Sequence, residues 1–405
     1  MGDATVVLIL AALLGVQPIT TDLYLPALPA LTAGFGASMG QAQLTLSALL
    51  IAFGLSQLVW GTLSDRFGRR PVLLLGLGAY TVAAVGSTLA PSMEALVLWR
   101  AVQGAAMGAG VSCARAIVRD LYHPADGARV MSKALSGLGV VAVCSSPLGG
   151  LMSDLFNWRA ALAVLAVFGA ASLALVFARF EETVPRKAHG TPSVTALLRT
   201  WLHILRHPTF VAYSALSVAS YGALFTFLAA SSFVFIQVLS VEKARYGLLM
   251  ASISVCYLAG TFLCRRLLRH FSLRRTIAIA SGLTLMSGSA MGIFGVLGWS
   301  SGPHAAWCIM VPMYGFMLAH GVHQPCAQTG AVGPFPHSAG AASALNGFLM
   351  MLAAFGIGGW LGARMDGTVL PLTNGIWFWS VVIALSGWTL VQRYGDDGHA
   401  APATR

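Results

Sequence analysis

The sequence predicts an all-α polytopic membrane protein with twelve transmembrane helices in two pseudo-symmetric six-helix bundles. The 405-residue chain is 57% hydrophobic and only 9% charged, which lies far outside the range of soluble domains. About twelve largely apolar runs of 18 residues or more follow one another, each long enough to cross a bilayer. Only helices and closed barrels satisfy their backbone groups in lipid. A barrel would show short alternating segments instead of these continuous runs.

The predicted spans are evenly divided between the two halves of the chain. Glycine is frequent throughout them (45 residues), as expected where helices pack closely in lipid. The centres lie near Leu13, Phe53, Ala83, Met107, Val140 and Phe168 in the first half, and near Tyr221, Val255, Leu285, Phe316, Leu352 and Ile383 in the second.

A short polar loop between the second and third spans, Gly61–Arg70 (GTLSDRFGRR), sets the predicted orientation. Its three arginines, Arg66, Arg69 and Arg70, place it on the cytoplasmic side. Most other basic residues fall on the same side, so we expect both termini in the cytoplasm. The opposite side holds only Arg159, Lys243, Arg245 and Arg364.

The net charge of +11 is explained by this topology. Because the basic residues are scattered over loops and form no single face, we expect no nucleic-acid partner.

The first apolar run has neither a basic leader nor a small-residue cleavage site, so we expect a retained helix. The six cysteines fall inside or beside apolar runs, which favours free thiols in helix contacts over disulfides or metal ligands.

The longest polar stretch lies at the midpoint and divides the chain. It predicts an N-terminal bundle over 1–180, a cytoplasmic linker over 181–207, a C-terminal bundle over 208–393 and a cytoplasmic tail over 394–405. Within the linker, apolar residues recur at helical spacing and indicate an interfacial amphipathic helix; the alternative is a plain ordered linker. The apolar residues are Val194, Leu197, Leu198, Trp201, Leu202 and Leu205.

The two halves resemble each other. A shift of about 204 residues aligns Asp65–Gly68 with Arg269–Ser272, and duplicated bundles of this kind place a site at their interface near the bilayer midplane. The second copy keeps the basic character but lacks the Asp and the Gly. The intact motif is therefore present only in the first half.

Five motifs together resemble the major facilitator superfamily, and within it the twelve-span drug/proton antiporters of the bicyclomycin and chloramphenicol resistance (Bcr/CflA) branch. GTLSDRFGRR resembles the superfamily's loop signature, and RAVQG at Arg100–Gly104 resembles its fourth-helix motif. TDLYLPALP at Thr21–Pro29, RAIVRDLY at Arg115–Tyr122 and FPHSAG at Phe335–Gly340 are similar to that branch.

This resemblance implies a proton-coupled exporter of small amphipathic drug-like compounds, such as phenicols or bicyclomycin, that works by alternating access. It implies a monomer in a bacterial inner membrane, driven by the proton gradient without a cofactor. The fifth-helix antiporter motif departs from the usual Gly-Pro-x-x-Gly-Gly, because Ser146–Leu151 reads SPLGGL. Pro147, Gly149 and Gly150 are retained, and Pro147 and Gly150 still supply a kink and a close-packing surface.

Asp22 and Arg100 are the candidate proton-coupling residues. Of the thirteen acidic residues, only Asp22 is predicted within a span, where a charged carboxylate is costly and protonation is favoured. The alternative is a solvated Asp at the outer mouth. Arg100 keeps its proton and is expected to modulate Asp22, or an equivalent proton site, by its charge, with Gln103 as a polar companion. The alternative is an arginine that snorkels to the interface.

The loop motif is predicted to be a conformational latch that pairs across the two halves and holds the outward-open state. Arg115 and Arg119, at the inner end of the fourth span, are the expected partners of Asp65. The alternative is a set of topology determinants with no latch function. The full latch comprises Gly61, Asp65, Arg66, Gly68, Arg69, Arg70, Arg115 and Arg119.

Candidate substrate-cavity residues lie mostly in the second half. His320 and His323 lie three residues apart in the tenth span, where they form either a proton relay, a polar cavity wall or packing histidines bonded to neighbours. No third metal ligand accompanies them, so we predict no metal site. The remaining candidates are Gln103, Tyr221, Phe225, Tyr257, Tyr314 and Asn346.

Two other functions stay open at the level of sequence. One alternative is that the cargo is an endogenous metabolite such as an amino acid, dipeptide or sugar, because fold does not select substrate. A membrane-embedded enzyme is the remote alternative, but the sequence contains no nucleophile elbow, HExxH motif or nucleotide-binding loop. We therefore predict a transporter and no enzyme.

Overall fold

The computed structural model describes residues 2–122, 124–183, 194–301 and 304–395, and these residues form helices with no strand. The helices are α1 (Asp3–Asp22), α2 (Leu28–Phe35), α3 (Met39–Phe67), α4 (Arg69–Thr88), α5 (Met93–Leu121), α6 (Pro124–Leu155), α7 (Trp158–Arg179), α8 (Val194–Arg206), α9 (Pro208–Ser232), α10 (Lys243–Leu268), α11 (Leu273–Val296), α12 (Ala305–Val332), α13 (Ala339–Arg364), α14 (Leu370–Leu385) and α15 (Val391–Tyr394).

Twelve stretches of the described chain are long and apolar enough to cross a membrane. This confirms the predicted number of spans, and each predicted centre falls inside one of them in order. Three spans contain an interruption. The first, Asp3–Phe35, joins α1 and α2 through a 3₁₀ turn, whereas Pro208–Val238 and Leu370–Tyr394 each include a π-helical segment.

Polar residues at the loop ends start several helices. Ser38 and Gln41 form a reciprocal capping box at α3. The side chains of Ser92, Asn157 and Ser272 accept hydrogen bonds from the third backbone amide of α5, α7 and α11, respectively. Each cap satisfies an amide that has no partner within its own helix. The long apolar runs are therefore divided into helices by small polar side chains.

Gly68 makes the turn between α3 and α4 with no intervening loop. Its backbone has φ +99°, a conformation that side chains disfavour. A Cβ atom at this position would also overlap the carboxylate of Glu182. The glycine of the loop motif is thus required both by the backbone geometry and by the neighbouring side chain.

Contacts divide the chain into two compact units. The first contains the described residues of Met1–Thr191 together with Ser240–Ala251 and Gly358–Ala363, and the second contains the remainder. In the first unit α3 packs on α5, α1 on α6, and α4 on both α5 and α7; in the second, α9, α11, α12 and α14 pack together. The predicted bundle boundaries stay predictions.

Large apolar side chains cover the outer surfaces of the helices. Examples are Leu75, Val82, Val167 and Phe262, each more than half exposed, as expected for side chains that face lipid tails.

The predicted linker helix is present as α8, in which Leu198 and Leu202 are also exposed. Its interfacial location stays a prediction. Linker residues 184–193 and the tail from residue 396 lie outside the described residues.

Candidate functional site: a buried arginine at the end of the first helix

Arg100, in α5, is completely buried and is held by neutral groups. Its guanidinium donates to the Gln103 side-chain oxygen (2.8 Å) and to the Thr20 carbonyl (3.1 Å), and it lies 4.3 Å from the centre of the Tyr24 ring. Arg100 forms no salt bridge within the described part of the chain. The hydrogen bonds and the cation–π contact compensate for its lost hydration.

The carbonyl that Arg100 contacts belongs to the last turn of α1. The final carbonyls of a helix lack partners within the helix and carry the negative end of its dipole. Thr20 lies two residues before the end of α1 at Asp22. Arg100 therefore caps the C-terminus of α1 from a neighbouring helix, which explains how a buried cation is stabilised without a carboxylate.

Hydroxyl groups extend this cluster. The Thr20 hydroxyl donates to the Val16 carbonyl (2.5 Å) and lies 2.6 Å from the Tyr80 hydroxyl of α4. The Tyr24 hydroxyl lies 2.7 Å from the Thr45 hydroxyl of α3. The end of α1 is thus attached to three other helices by polar contacts in an apolar unit.

Asp22 is the last residue of α1 and is half-buried. The Thr21 hydroxyl donates to its carboxylate (2.8 Å), and Asp22 forms no salt bridge with any described residue. The next residue, Leu23, packs against Gly149 of α6, where a Cβ atom would overlap the Leu23 carbonyl. The retained glycine of the antiporter motif therefore allows α6 to approach the helix end that carries Asp22.

Asp22 and Arg100 share neighbours but do not pair. The two residues that contact Arg100 in α1 and its extension, Thr20 and Tyr24, flank Asp22 by two positions on either side. Asp22 can consequently bind or release a proton without breaking an ion pair, while Arg100 holds the helix end in place. Modulation of Asp22 by the charge of Arg100 stays a prediction.

The other residues of the fifth-helix motif pack within the first unit. Pro147 lies inside α6. At Gly150 a Cβ atom would come 2.5 Å from the Lys243 carbonyl, at the start of α10. Asp154, one turn further along α6, accepts from the Ala244 amide (2.9 Å) and pairs with Lys243 at 3.4 Å.

The latch motif forms a charge cluster centred on Arg69, whose side chain is only 3% exposed. Arg69 pairs with Asp65 at 2.7 Å and with Asp120 of α5 at 2.9 Å, and donates to the Ser64 hydroxyl (2.7 Å). Arg119 approaches Asp65 at 3.5 Å, as the sequence suggested. These contacts join α3, α4 and α5, all from the first half of the chain.

Glu182 is a residue of this cluster that sequence reasoning missed. Its carboxylate accepts hydrogen bonds from the backbone amides of Arg69 (2.9 Å) and Arg70 (3.1 Å). It therefore caps the N-terminus of α4, where a negative charge is stabilised by the helix dipole. The only sequence signal was an acidic pair directly after α7. Pairing of the motif across the two halves stays a prediction.

The remaining latch candidates differ in their environments. Arg70 donates to the Phe177 carbonyl (3.0 Å), and Arg66 lies 5.2 Å from the centre of the Phe67 ring. A Cβ atom at Gly61 would meet no described atom within 4 Å beyond its own helix backbone. Arg115 is exposed in α5. The structure therefore gives Arg69 the central position in the cluster.

His320 and His323 are buried in the second unit and contact hydroxyl groups of other helices. His320 Nδ1 lies 2.8 Å from the Ser220 hydroxyl of α9, and His323 Nε2 lies 3.1 Å from the Thr284 hydroxyl of α11. These contacts match the alternative of packing histidines bonded to neighbours. The described residues contain no group of three or more potential metal ligands.

The other cavity candidates of the second half occupy the same unit. Asn346 is buried and donates to the Ser217 hydroxyl (3.4 Å), while Tyr314 is partly exposed and its hydroxyl lies 2.8 Å from that of Ser252. The rings of Tyr257 and His320 are 5.6 Å apart. Tyr221 and Phe225 of α9 are buried. Substrate contact at these positions stays a prediction.

Twelve apolar spans with a few buried charged residues define a multi-pass membrane protein. A family model described as Major Facilitator Superfamily matches residues 10–359. The chain therefore belongs to the major facilitator superfamily, a family of transporters rather than enzymes. Its partners include a small-molecule substrate and the lipid bilayer.

Similarity to individual proteins supports the branch resemblance. The chain is 29% identical over 357 residues to multidrug resistance protein D of Escherichia coli, covering 87% of each. It is 24% identical over 387 residues to a bicyclomycin resistance protein homolog of Haemophilus influenzae, covering 96% of each. A crystal structure of a D-xylose–proton symporter superposes with a TM-score of 0.75 at 16% identity, covering 98% of this chain and 99% of that chain, and shows the shared fold alone.

Proposed function

We propose that the chain is a drug/proton antiporter that exports small amphipathic compounds, such as phenicols or bicyclomycin, across a bacterial inner membrane. Relatives named for multidrug and bicyclomycin resistance support the cargo class. In this proposal the proton gradient is the energy source and no cofactor takes part. The working unit is a monomer whose two termini are cytoplasmic.

The observation that carries the coupling proposal is Asp22 at the end of α1, inside a membrane span and without an ion-pair partner among the described residues. A carboxylate in this position can exchange one proton per cycle. Burial disfavours its charged form, so its protonation depends strongly on the protein conformation around it. Arg100 stays charged and fixes the helix end.

The cycle follows alternating access. A proton from the outer side neutralises Asp22 while the site is open outward, and the cargo leaves. The halves then rock inward, the proton is released to the cytoplasm and new cargo binds. Proton and cargo shift the equilibrium only if each binds the two states with different affinity.

Asp22→Asn tests the coupling residue. We measure uptake of chloramphenicol or bicyclomycin into inverted membrane vesicles energised by a proton gradient. In these vesicles, uptake corresponds to export from the cell. The amide cannot exchange a proton, so the variant is expected to lose accumulation above the external concentration while retaining downhill exchange.

Asp366→Asn is the matched control. Asp366 lies between α13 and α14, outside the spans, and hydrogen bonds from Thr368 lower the pKa of its carboxyl. This variant is expected to accumulate cargo as the unmodified protein does. Uphill accumulation by Asp22→Asn at the control rate would show that Asp22 is not the coupling carboxylate.

The cargo is tested separately from the coupling. Cells that overproduce the protein are loaded with a panel of antibiotics, amino acids, dipeptides and sugars, and efflux is followed for each compound. Energised efflux of amphipathic antibiotics alone is the expected result. Efflux of a metabolite without any antibiotic would replace the drug assignment and leave the proton mechanism intact.

A further inference from the structure

Two buried cysteines of the second unit lie in contact. The sulfur atoms of Cys264, in α10, and Cys326, in α12, are 3.5 Å apart. Their exposed fractions are 3% and 1%, and both are free thiols. No step of the transport mechanism above uses either residue.

Backbone packing fixes this separation. Gly260 lies one turn before Cys264, and a Cβ atom there would overlap the Leu318 carbonyl of α12; a Cβ atom at Gly321 would come 2.6 Å from the Tyr257 carbonyl. The backbones of α10 and α12 are therefore in direct contact one turn from the two sulfur atoms. Close packing at small residues restricts helix separation in a membrane protein.

We propose that Cys264 and Cys326 form a redox-active dithiol that closes to a disulfide between α10 and α12. A disulfide sulfur–sulfur bond is about 2.05 Å long, so closure needs the two sulfur atoms, now 3.5 Å apart, to approach by about 1.5 Å. The inference stands independently of the proposed transport function, because it rests on the pair alone.

The oxidant class is a hydroperoxide, and the reaction balances with hydrogen peroxide. One thiol loses its proton, and the sulfur of the resulting thiolate attacks a peroxide oxygen. The oxygen–oxygen bond breaks, a sulfenic acid forms, and the hydroxide that leaves takes up the thiol's proton to become water. The second thiol then attacks the sulfenic sulfur, and the hydroxyl leaves as water with the remaining proton. Two thiols and one peroxide thus yield one disulfide and two waters.

The pair favours disulfide chemistry over metal binding. A structural metal site uses about four ligands, and the described residues contain no group of three or more potential ligands. The other cysteines are Cys113, Cys144, Cys256 and Cys308. Cys144 is exposed and serves as an internal measure of oxidant exposure.

The test uses the full-length protein, purified in detergent and treated with hydrogen peroxide until Cys144 is oxidised. The sample is quenched with catalase, denatured, alkylated and digested for mass spectrometry. We expect a cross-linked peptide containing Cys264 and Cys326, which disappears on reduction. In Cys264→Ser the cross-link is absent and Cys326 is alkylated or over-oxidised, whereas Cys144→Ser retains the cross-link. Recovery of both thiols as alkylated residues would overturn the proposal.

A second measurement needs no oxidant. Phenylarsine oxide bridges two adjacent thiols with loss of one water, and it should protect Cys264 and Cys326 from alkylation at one equivalent per chain. Cys326→Ser should lose this protection. Absence of protection in the unmodified protein would refute the adjacency of the thiols, and protection without disulfide formation would refute the redox step.

Discussion

Replacing Arg69 with Met should strongly destabilise the first unit. Arg69 is 3% exposed and bridges Asp65, which is 53% exposed, and Asp120, which is 14% exposed. Removing one partner of a buried ion pair costs 3–5 kcal/mol, whereas an exposed pair contributes about 1 kcal/mol or less. After the replacement, the contacts that Asp120 keeps with described residues are weaker ones, to Arg119 at 3.8 Å and to the Thr183 hydroxyl at 3.3 Å. We therefore expect a loss of about 3 kcal/mol, the lower end of the buried range.

The free energy is measured by reversible unfolding in mixed micelles with a rising fraction of sodium dodecyl sulfate, followed by tryptophan fluorescence. A double-mutant cycle with Asp120→Asn isolates the pair, and a coupling energy of about 2 kcal/mol is expected for groups in direct contact. Arg69→Lys should lose less than Arg69→Met, because an ammonium retains the charge but lacks the planar fork that binds two carboxylates.

Arg70→Met is the matched control for this cluster. Arg70 is the next residue, and its side chain donates to a backbone carbonyl rather than to a buried carboxylate. A loss of about 1 kcal/mol or less is expected. The reasoning is refuted if Arg69→Met costs no more than Arg70→Met, or if the cycle gives no coupling between Arg69 and Asp120.

Two other substitutions test close contacts in the first unit. Gly149→Ala should cost about 1–3 kcal/mol by overpacking and reduce proton-coupled uptake in vesicles, because the added carbon overlaps the Leu23 carbonyl. Gly78→Ala is the control, because the new carbon would have no described atom within 4 Å beyond its own helix backbone, and it should leave both properties unchanged or slightly raise stability. Equal behaviour of the two variants would contradict the packing argument. Glu182→Gln should cost about 1 kcal/mol in the same unfolding assay, because α4 loses a charged cap, and a more stable variant would contradict that role.

The spans were predictable because each depends on local composition. A run such as that around Leu13 or Phe316 must be helical and long to cross a bilayer, whatever it packs against. The short turn at Gly68 was also visible, since a polar loop between two apolar runs is local information. Burial of individual side chains was not visible, because helices hydrophobic on all sides carry no pattern that separates lipid-facing from packed positions.

The cluster around Arg69 shows where sequence reasoning stops. The motif itself identified Asp65 and Arg69 as polar residues of one short loop between two apolar runs. Asp120 and Glu182 lie 51 and 113 residues from Arg69, so only the packing of α4 against α5 and α7 brings them together. A contact at such separation has no signature in a single sequence.

Arg100 is a second residue whose contacts could not be predicted from the sequence. From the sequence, Arg100 was expected to act on Asp22, or on an equivalent proton site, through its charge. In the structure, two guanidinium nitrogens donate to a helix-end carbonyl and an amide oxygen, the guanidinium faces an aromatic ring, and Nε has no hydrogen-bond partner among the described residues. The contact with the helix end is favourable because the end of α1 carries a partial negative charge. An ion pair would have held Asp22 in its charged form. Because Arg100 contacts α1 instead of the carboxylate, Asp22 keeps the freedom to change protonation that a proton-coupling residue requires.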